Sequence, residues 1–233
     1  MIRGFYSAGS GLASQQTAID NAANNIANVS TTGFKKRDLN FSELLYSKVG
    51  TEASSSQNLN VGNGTRVATI LNNFSQGSIE ASGNELDFAL KSDGFFAVQS
   101  QDGSTKYTRD GNFKISSESE GDYLVNSSGE YVLDKDSNKL IADEPGIKDK
   151  IGVFDFSNPY GLNKAGNNLF TVTAQSGQPI TTEGKLISGG IELSNVDLAT
   201  EMTDLLSIQR AYQFNAKFIQ TADEIENITN NLK

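Results

Sequence analysis

The chain contains no histidine, no cysteine and no tryptophan. Without His or Cys it can build neither a Ser-His-Asp nor a Cys-His nucleophile, no ordinary zinc site and no thiol redox centre, which leaves only carboxylate, Lys, Tyr or Ser chemistry. Without Cys there are no disulfides, so stability outside the cytoplasm has to come from packing or from assembly with partners. No apolar run approaches the length needed to span a bilayer. The stretch after Arg3 is interrupted by Ser7, Gly9, Ser10 and Gly11, too polar for the apolar core of a cleaved secretory signal, so export would need another route. Positive charge is scarce as well. With 19 Lys and Arg against 28 Asp and Glu the net charge is -9, which repels phosphate backbones and anionic headgroups and argues against nucleic acid as a partner.

What is present divides the chain into three textures. At 233 residues and 36% apolar content it can hold one large or two small domains, with a real core that is lean for a compact enzyme. From about Ile2 to Val29, the residues Phe5, Leu12, Ile19 and Ile26 recur every seven positions as one helical stripe, beside small residues such as Gly9, Gly11 and Ala23 that let another helix approach. Toward the other end, Ser194 and Asn195 are good N-caps, and Asp197 and Glu201 fall in or near the first turn, where the helix dipole favours acids. An apolar stripe then runs through Leu198, Met202, Leu205, Ile208, Tyr212 and Ile219 toward Ile228. Two packings satisfy such seams: a hairpin within one chain, or pairing of the ends with each other and with neighbouring copies. On the second reading the polymer contact rests on Phe5, Leu12, Ile19, Ile26, Leu198, Leu205, Tyr212 and Ile219. Seams this lean leave the ends largely disordered until assembly orders them.

Between the helices lie short β-like runs, among them Leu86 to Leu90, Phe95 to Gln99, Thr105 to Thr108, Asn112 to Ile115 and Ile151 to Phe156. They are separated by Asp93-Gly94, Asp102-Gly103, Asp110-Gly111 and Ser128-Gly129, dipeptides that supply the positive torsions of tight turns. Residues 31–73, with Ser54 to Ser56 and Gly50, Gly62 and Gly64, read as an extended connector. The expected fold is α+β. Residues 1–30 and 194–233 form the two halves of a discontinuous, coiled-coil-like domain of long helices, and residues 74–193 form a central all-β domain.

Several runs carry a family resemblance. Asn24 to Phe34 read NNIANVSTTGF, in which Asn24, Asn25 and Asn28 lead to Gly33 and Phe34, ahead of Lys35, Lys36 and Arg37. SNVDL at residues 194–198 contains Asn195 and Val196, and QRAYQFNAK at residues 209–217 contains Gln209, Arg210 and Tyr212. In the middle stand GNELDFAL (83–90), DGFFAVQ (93–99) and YTRDGNF (107–113). Together these resemble the bacterial flagellar rod and hook family over nearly the whole chain, with rod favoured over hook. FSELLY (41–46) followed by VGNGTRV (61–67) is most similar to the distal-rod branch and is shared by some proximal-rod members. The resemblance implies a structural subunit without a cofactor, polymerising helically through its terminal helices into the drive shaft and export channel of the basal body. It implies export by the flagellar type III apparatus without a cleaved signal. The implied partners are further copies, other rod and hook proteins and the export apparatus, with basal-body ring proteins as further candidates.

Rival readings are weaker on the residues themselves. A hook-type axial protein stays within the family. A cell-wall hydrolase would draw paired acids from Asp87, Asp93, Asp110 or Glu118, but no spacing singles out a pair, and acids beside Gly serve turn geometry. Asp134-Lys135-Asp136-Ser137-Asn138 begins like a calcium loop, yet Lys139 stands where Gly is needed and Pro145 where a bidentate Glu is needed. Gly33 itself reads as an ordinary helix stop.

Overall fold

The computed structural model describes residues 2–48, 60–118, 121–142 and 146–232, so Gly50, Ser54 to Ser56 and Pro145 lie outside the described residues. Chain order begins with α1 (Ile2–Ala27), β1 (Arg37–Glu43), β2 (Ser47–Lys48), β3 (Asn60–Val61) and β4 (Thr65–Asn72). Next come β5 (Ile79–Ala81), β6 (Phe88–Leu90), β7 (Phe95–Gln99), β8 (Thr105–Thr108), β9 (Lys114–Glu118), β10 (Gly121–Val125) and β11 (Tyr131–Val132). One helical turn, α2 (Ile147–Lys150), precedes β12 (Val153–Asp155), β13 (Asn163–Gly166), β14 (Leu169–Thr171), β15 (Ile180–Thr181), β16 (Leu186–Ser188) and β17 (Gly190–Glu192). The last element is α3 (Leu198–Asn231). The fold is α+β.

Two compact units result. One gathers Met1–Ala27, Arg37–Leu71 and Asp197–Lys233, and the other gathers Asn28–Lys36 and Asn72–Val196. The segment read as an extended connector therefore contributes to both. It carries paired strands, β1 with β4 and β2 with β3, because Leu39, Phe41, Val67 and Ile70 supply enough branched and aromatic residues for short ladders.

In the first unit, α1 and α3 pack against each other. Gly4 lies against Phe218, Gln15 bonds Asn215 and Asn25 bonds Glu201, so the helices run antiparallel. The start of α3 falls later than Ser194 and Asn195. Asp197 is the N-cap, its carboxylate accepting from the Ala199 N–H at 3.0 Å and the Thr200 hydroxyl at 2.9 Å. Asn195 is not free to cap because its amide is committed elsewhere, as described below.

The second unit is built on a nine-stranded sheet in the order β13-β14-β8-β7-β11-β10-β9, with β12 also pairing β7 and β15 pairing β12. All its described pairings are antiparallel. At its centre β7 places four consecutive buried residues on alternate faces. Phe96 and Val98 join Phe113, Leu124, Val132 and Ile151, whereas Phe95 and Ala97 join Tyr107, Leu133, Phe154 and Phe170. A strand covered on both sides reads as an unbroken apolar run, which is why FFAV is so legible. Short pairs β6–β16 and β5–β17 complete the unit. Gly94, Gly103 and Gly129 have the expected positive φ, but Gly111 does not. A Cβ at position 111 would sit 1.7 Å from the Phe88 carbonyl oxygen, so glycine is required there for close backbone approach rather than for turn torsion.

Candidate assembly surface

The α1–α3 seam is built from small residues. On α1 the positions facing inward are Gly4, Ala8, Gly11, Gln15, Ala18 and Ala22, ending at Asn25, and steps of four and three keep them on one stripe. A Cβ at Gly11 would stand 3.0 Å from the Asn215 side-chain nitrogen, so a larger residue there would have to displace the Asn215 amide. On α3 the matching stripe is Glu201, Leu205, Ile208, Tyr212, Asn215 and Ile219, again in steps of four and three. Polar bonds pin the register: Asn215 Nδ2 donates to Gln15 Oε1 at 3.1 Å and Asn25 Nδ2 donates to Glu201 Oε2 at 3.2 Å. Asn25 and Asn21 also donate to the Arg37 carbonyl, and Asn25 Oδ1 accepts from the Arg37 N–H, tying the end of α1 to the start of β1.

The eight expected contact residues separate accordingly. Leu205, Tyr212 and Ile219 are half-buried on the side of α3 that carries Glu201 and Asn215, and Leu198 is exposed. On α1, Leu12, Ile19 and Ile26 are half-buried and Phe5 is exposed, one position on from the small-residue stripe. Leu205, Tyr212 and Ile219 therefore lie in the chain's own seam, whereas Phe5, Leu12, Ile19 and Ile26 flank it.

Large apolar side chains remain in solvent throughout this unit. Leu45 is 88% exposed, Phe214 76%, Tyr6 73% and Leu232 83%, and Phe41, Met202, Leu206, Phe218, Ile225 and Ile228 are exposed too. Gly4, Phe214, Lys217, Phe218, Ala222 and Ile225 line an open apolar groove of about 470 Å³. In the second unit, by contrast, Phe88, Phe95, Phe96, Phe113 and Phe170 are all buried.

Most of the motif residues are internal. Gly33 has φ 64 and donates its N–H to the Glu192 carbonyl at 2.8 Å, and a Cβ there would meet Asp110 N at 2.5 Å and Arg109 C at 2.7 Å. It is not merely a helix stop. Asn28 accepts from Thr31, closing the turn before it. Phe34 is buried under the Lys164 ammonium, 4.3 Å above its ring. Asn195 Oδ1 accepts from the Lys36 N–H at 2.7 Å while its Nδ2 donates to the carbonyls of Asn73 and Ser75, and Val196 is buried beside it. Asn24, Gln209 and Arg210 are exposed, and Tyr212 is half-buried.

One internal feature left no mark in the sequence. Lys35 Nζ contacts Glu192 Oε1 at 2.7 Å and Arg109 Nη1 contacts Glu192 Oε2 at 3.3 Å, all three side chains being at most 2% exposed. The Ser75 carbonyl and the Gly77 N–H complete the bonding of Lys35 and Glu192. Desolvation lowers the Lys35 pKa, and Glu192 opposes that shift through its charge and hydrogen bond. Residues from three separated segments meet here, so neither periodicity nor a local motif announces them.

The acids weighed for hydrolysis are absorbed by turns. Asp110 accepts from the Thr32 hydroxyl and the Asn112 N–H, with its pKa raised by burial, and Asp87 accepts from Asn84. Glu118 accepts from the Tyr131 hydroxyl, and Asp93 is exposed. In the calcium-like stretch, Asp134 closes a tight turn with Ser137 and Asn138. No group of three or more candidate metal-ligating residues occurs among the described residues, and no helix there is long and apolar enough to cross a membrane.

Comparison with known proteins gives consistent matches at both ends and in the middle. Residues 5–35 match the family described as flagella basal body rod protein, residues 89–166 the flagellar hook protein FlgE/F/G D1 domain, and residues 187–232 the flagellar basal body rod FlgEFG protein C-terminal region. The flagellar basal-body rod protein FlgG of Borreliella burgdorferi is 38% identical, over 100% of this chain and 99% of that one. FlgG of Agrobacterium fabrum and FlgG of Bacillus subtilis are each 33% identical over the full length of both chains. The hook-basal body complex protein FlhP of Bacillus subtilis is 28% identical, also over full length.

Proposed function

The chain belongs to the flagellar basal-body rod protein family, and from that premise we propose that it polymerises helically through the helical unit into the distal part of the rod. Membership makes it a structural protein of the flagellar basal body rather than an enzyme, assembling with other axial proteins of the flagellum. The finer reading is that the terminal helices pair across copies in coiled-coil fashion, line the drive shaft and export channel, and reach the rod through the flagellar export apparatus, with ring proteins as outer neighbours. The distal position is favoured by relatives that bear the FlgG name over full length.

One observation carries the polymer reading: the helical unit leaves Phe5, Phe41, Phe214 and Phe218 in water along with Leu45, Leu206 and Leu232, whereas no phenylalanine of the β unit is exposed among the described residues. Burial returns about 25 cal/mol per Å², and permanent interfaces bury roughly 2,000 Å² or more, so repeated contacts offset the cost of ordering the ends. A filament requires these contacts to be heterologous, since head-to-tail surfaces propagate and isologous ones close. Sedimentation and electron microscopy of the purified chain over a concentration series test this. Tubes or open-ended oligomers are expected, and a monomer at every concentration with both helices fully ordered overturns it.

A further inference from the structure

Both terminal helices carry two seams rather than one, and the seams are offset by a single residue. On α1 the inner stripe that begins Gly4, Ala8, Gly11 is shadowed by Phe5, Gly9, Leu12, Gln16, Ile19 and Ala23, ending at Ile26, in the same steps of four and three. On α3 the inner stripe from Glu201 to Ile219 is accompanied by Phe214, Phe218, Thr221, Ile225, Ile228 and Leu232, each one residue before a position of the inner phase. All six of these are exposed. One residue is about 100° of rotation, so each helix presents adjacent faces, one for its own partner and one for another helix, with Phe218, which also lies against Gly4, at the border between them.

We propose that the outer seam of α3 receives the outer seam of α1 from a second copy of this chain; the inference rests on the polymer reading above and specifies its contact. Three features select that occupant. Both outer seams keep the heptad spacing that knobs-into-holes packing requires. Their sizes are complementary: α1 sets large Phe5, Leu12, Ile19 and Ile26 beside smaller Gly9 and Ala23, with Gln16 midway, and the Gly9 Cβ position has nothing within 4 Å, while α3 offers bulk around the groove at Phe214, Phe218 and Ile225, interrupted by the smaller Thr221. The α3 seam spans residues 214–232 and the α1 seam 5–26, lengths of roughly 27 and 31 Å at 1.5 Å per residue. The outer seam also lies further along α3 than the inner one. A neighbour seated there is staggered along the axis by about 13 residues, roughly 20 Å, relative to the chain's own α1. A staggered contact leaves each copy with one seam filled and one offered, which is the heterologous, propagating arrangement.

The absence of native cysteine permits a direct test. Chains carrying Gly9→Cys, Gln16→Cys or Ala23→Cys alone are mixed with chains carrying Thr221→Cys or Ile228→Cys alone, assembled and oxidised mildly. Gln220→Cys, exposed and off both α3 seams, is the control. Circular dichroism of each variant confirms that the helices are retained. Disulfides between α1 of one chain and position 221 or 228 of another are expected in at least about tenfold excess over those to position 220, because neighbours held at a seam meet at mM effective concentration. If assemblies form yet positions 221 and 228 couple no more than the control, or couple mainly to themselves in a second chain, the proposed pairing is wrong while polymerisation stands. If neither the parent nor any variant assembles, the polymer reading fails and the pairing falls with it.

Discussion

Gly33→Ala separates a local role for this glycine from a tertiary one. At φ 64 an Ala pays the left-handed backbone penalty of about 1 kcal/mol. Its methyl carbon would also lie 2.5 Å from Asp110 N and 2.7 Å from Arg109 C. Both obstacles are backbone, so relief means moving the strap 28–36 away from the turn after β8 that carries Arg109 and Asp110. That movement strains the Gly33 N–H bond to Glu192 and the neighbouring Lys35–Glu192 contact. Overpacking of this kind adds about 1–3 kcal/mol, for a total near 3 kcal/mol. Gly103→Ala is the matched control, since its φ is 81 but nothing stands within 4 Å of its Cβ position. For a unit of this size about 4 °C accompanies each kcal/mol. Thermal melts followed by circular dichroism should show the β unit falling by roughly 12 °C for Gly33→Ala and roughly 4 °C for Gly103→Ala. Equal shifts for the two variants would refute the reasoning, because the backbone torsion alone would then account for Gly33.

Lys35→Met should cost about 3 kcal/mol in urea unfolding by leaving Glu192 buried with one cation fewer, and adding Glu192→Gln should recover part of that loss; a double variant no better than the single one counts against the buried ion cluster. The lowered Lys35 pKa means that, between that lowered value and 10.5, the folded unit binds fewer protons than the unfolded chain. Stability of the wild type relative to Lys35→Met should therefore rise with pH across that window, and a flat or falling difference between the two urea midpoints contradicts it. Leu205→Asp places a charge in the inner seam at a cost of several kcal/mol, and should abolish assembly in electron micrographs while the β unit keeps its melting transition. Normal tubes from that variant would remove Leu205 from the polymer contact.

Much of the architecture was legible because it is written in local periodicity. The stripes on α1 and α3 follow from spacing alone, β7 and β8 match the expected runs at 95–99 and 105–108, and the glycines at 94, 103 and 129 mark turns as their neighbours suggested. The strands β5, β15, β16 and β17 were not legible, being two or three residues long and held by partners distant in the chain. The N-cap of α3 was misplaced by the chemistry of Asn195, which suits a cap but here bridges Lys36, Asn73 and Ser75.

By itself the amino-acid order determined that the ends are amphipathic helices, that the middle is β, and which family the chain joins, since period, turn chemistry and motif runs all act over a few neighbouring residues. Only the tertiary structure decided which of two adjacent faces each helix uses for its own partner. A pattern repeating every seven residues is satisfied equally by the stripe through Gly11 and by the stripe through Leu12, and the choice falls to how closely two backbones can approach. The same holds for Lys35, Arg109 and Glu192. Nothing nearby in the chain distinguishes a solvated charge from a buried one, because the partner that makes burial tolerable for Lys35 stands 157 positions away.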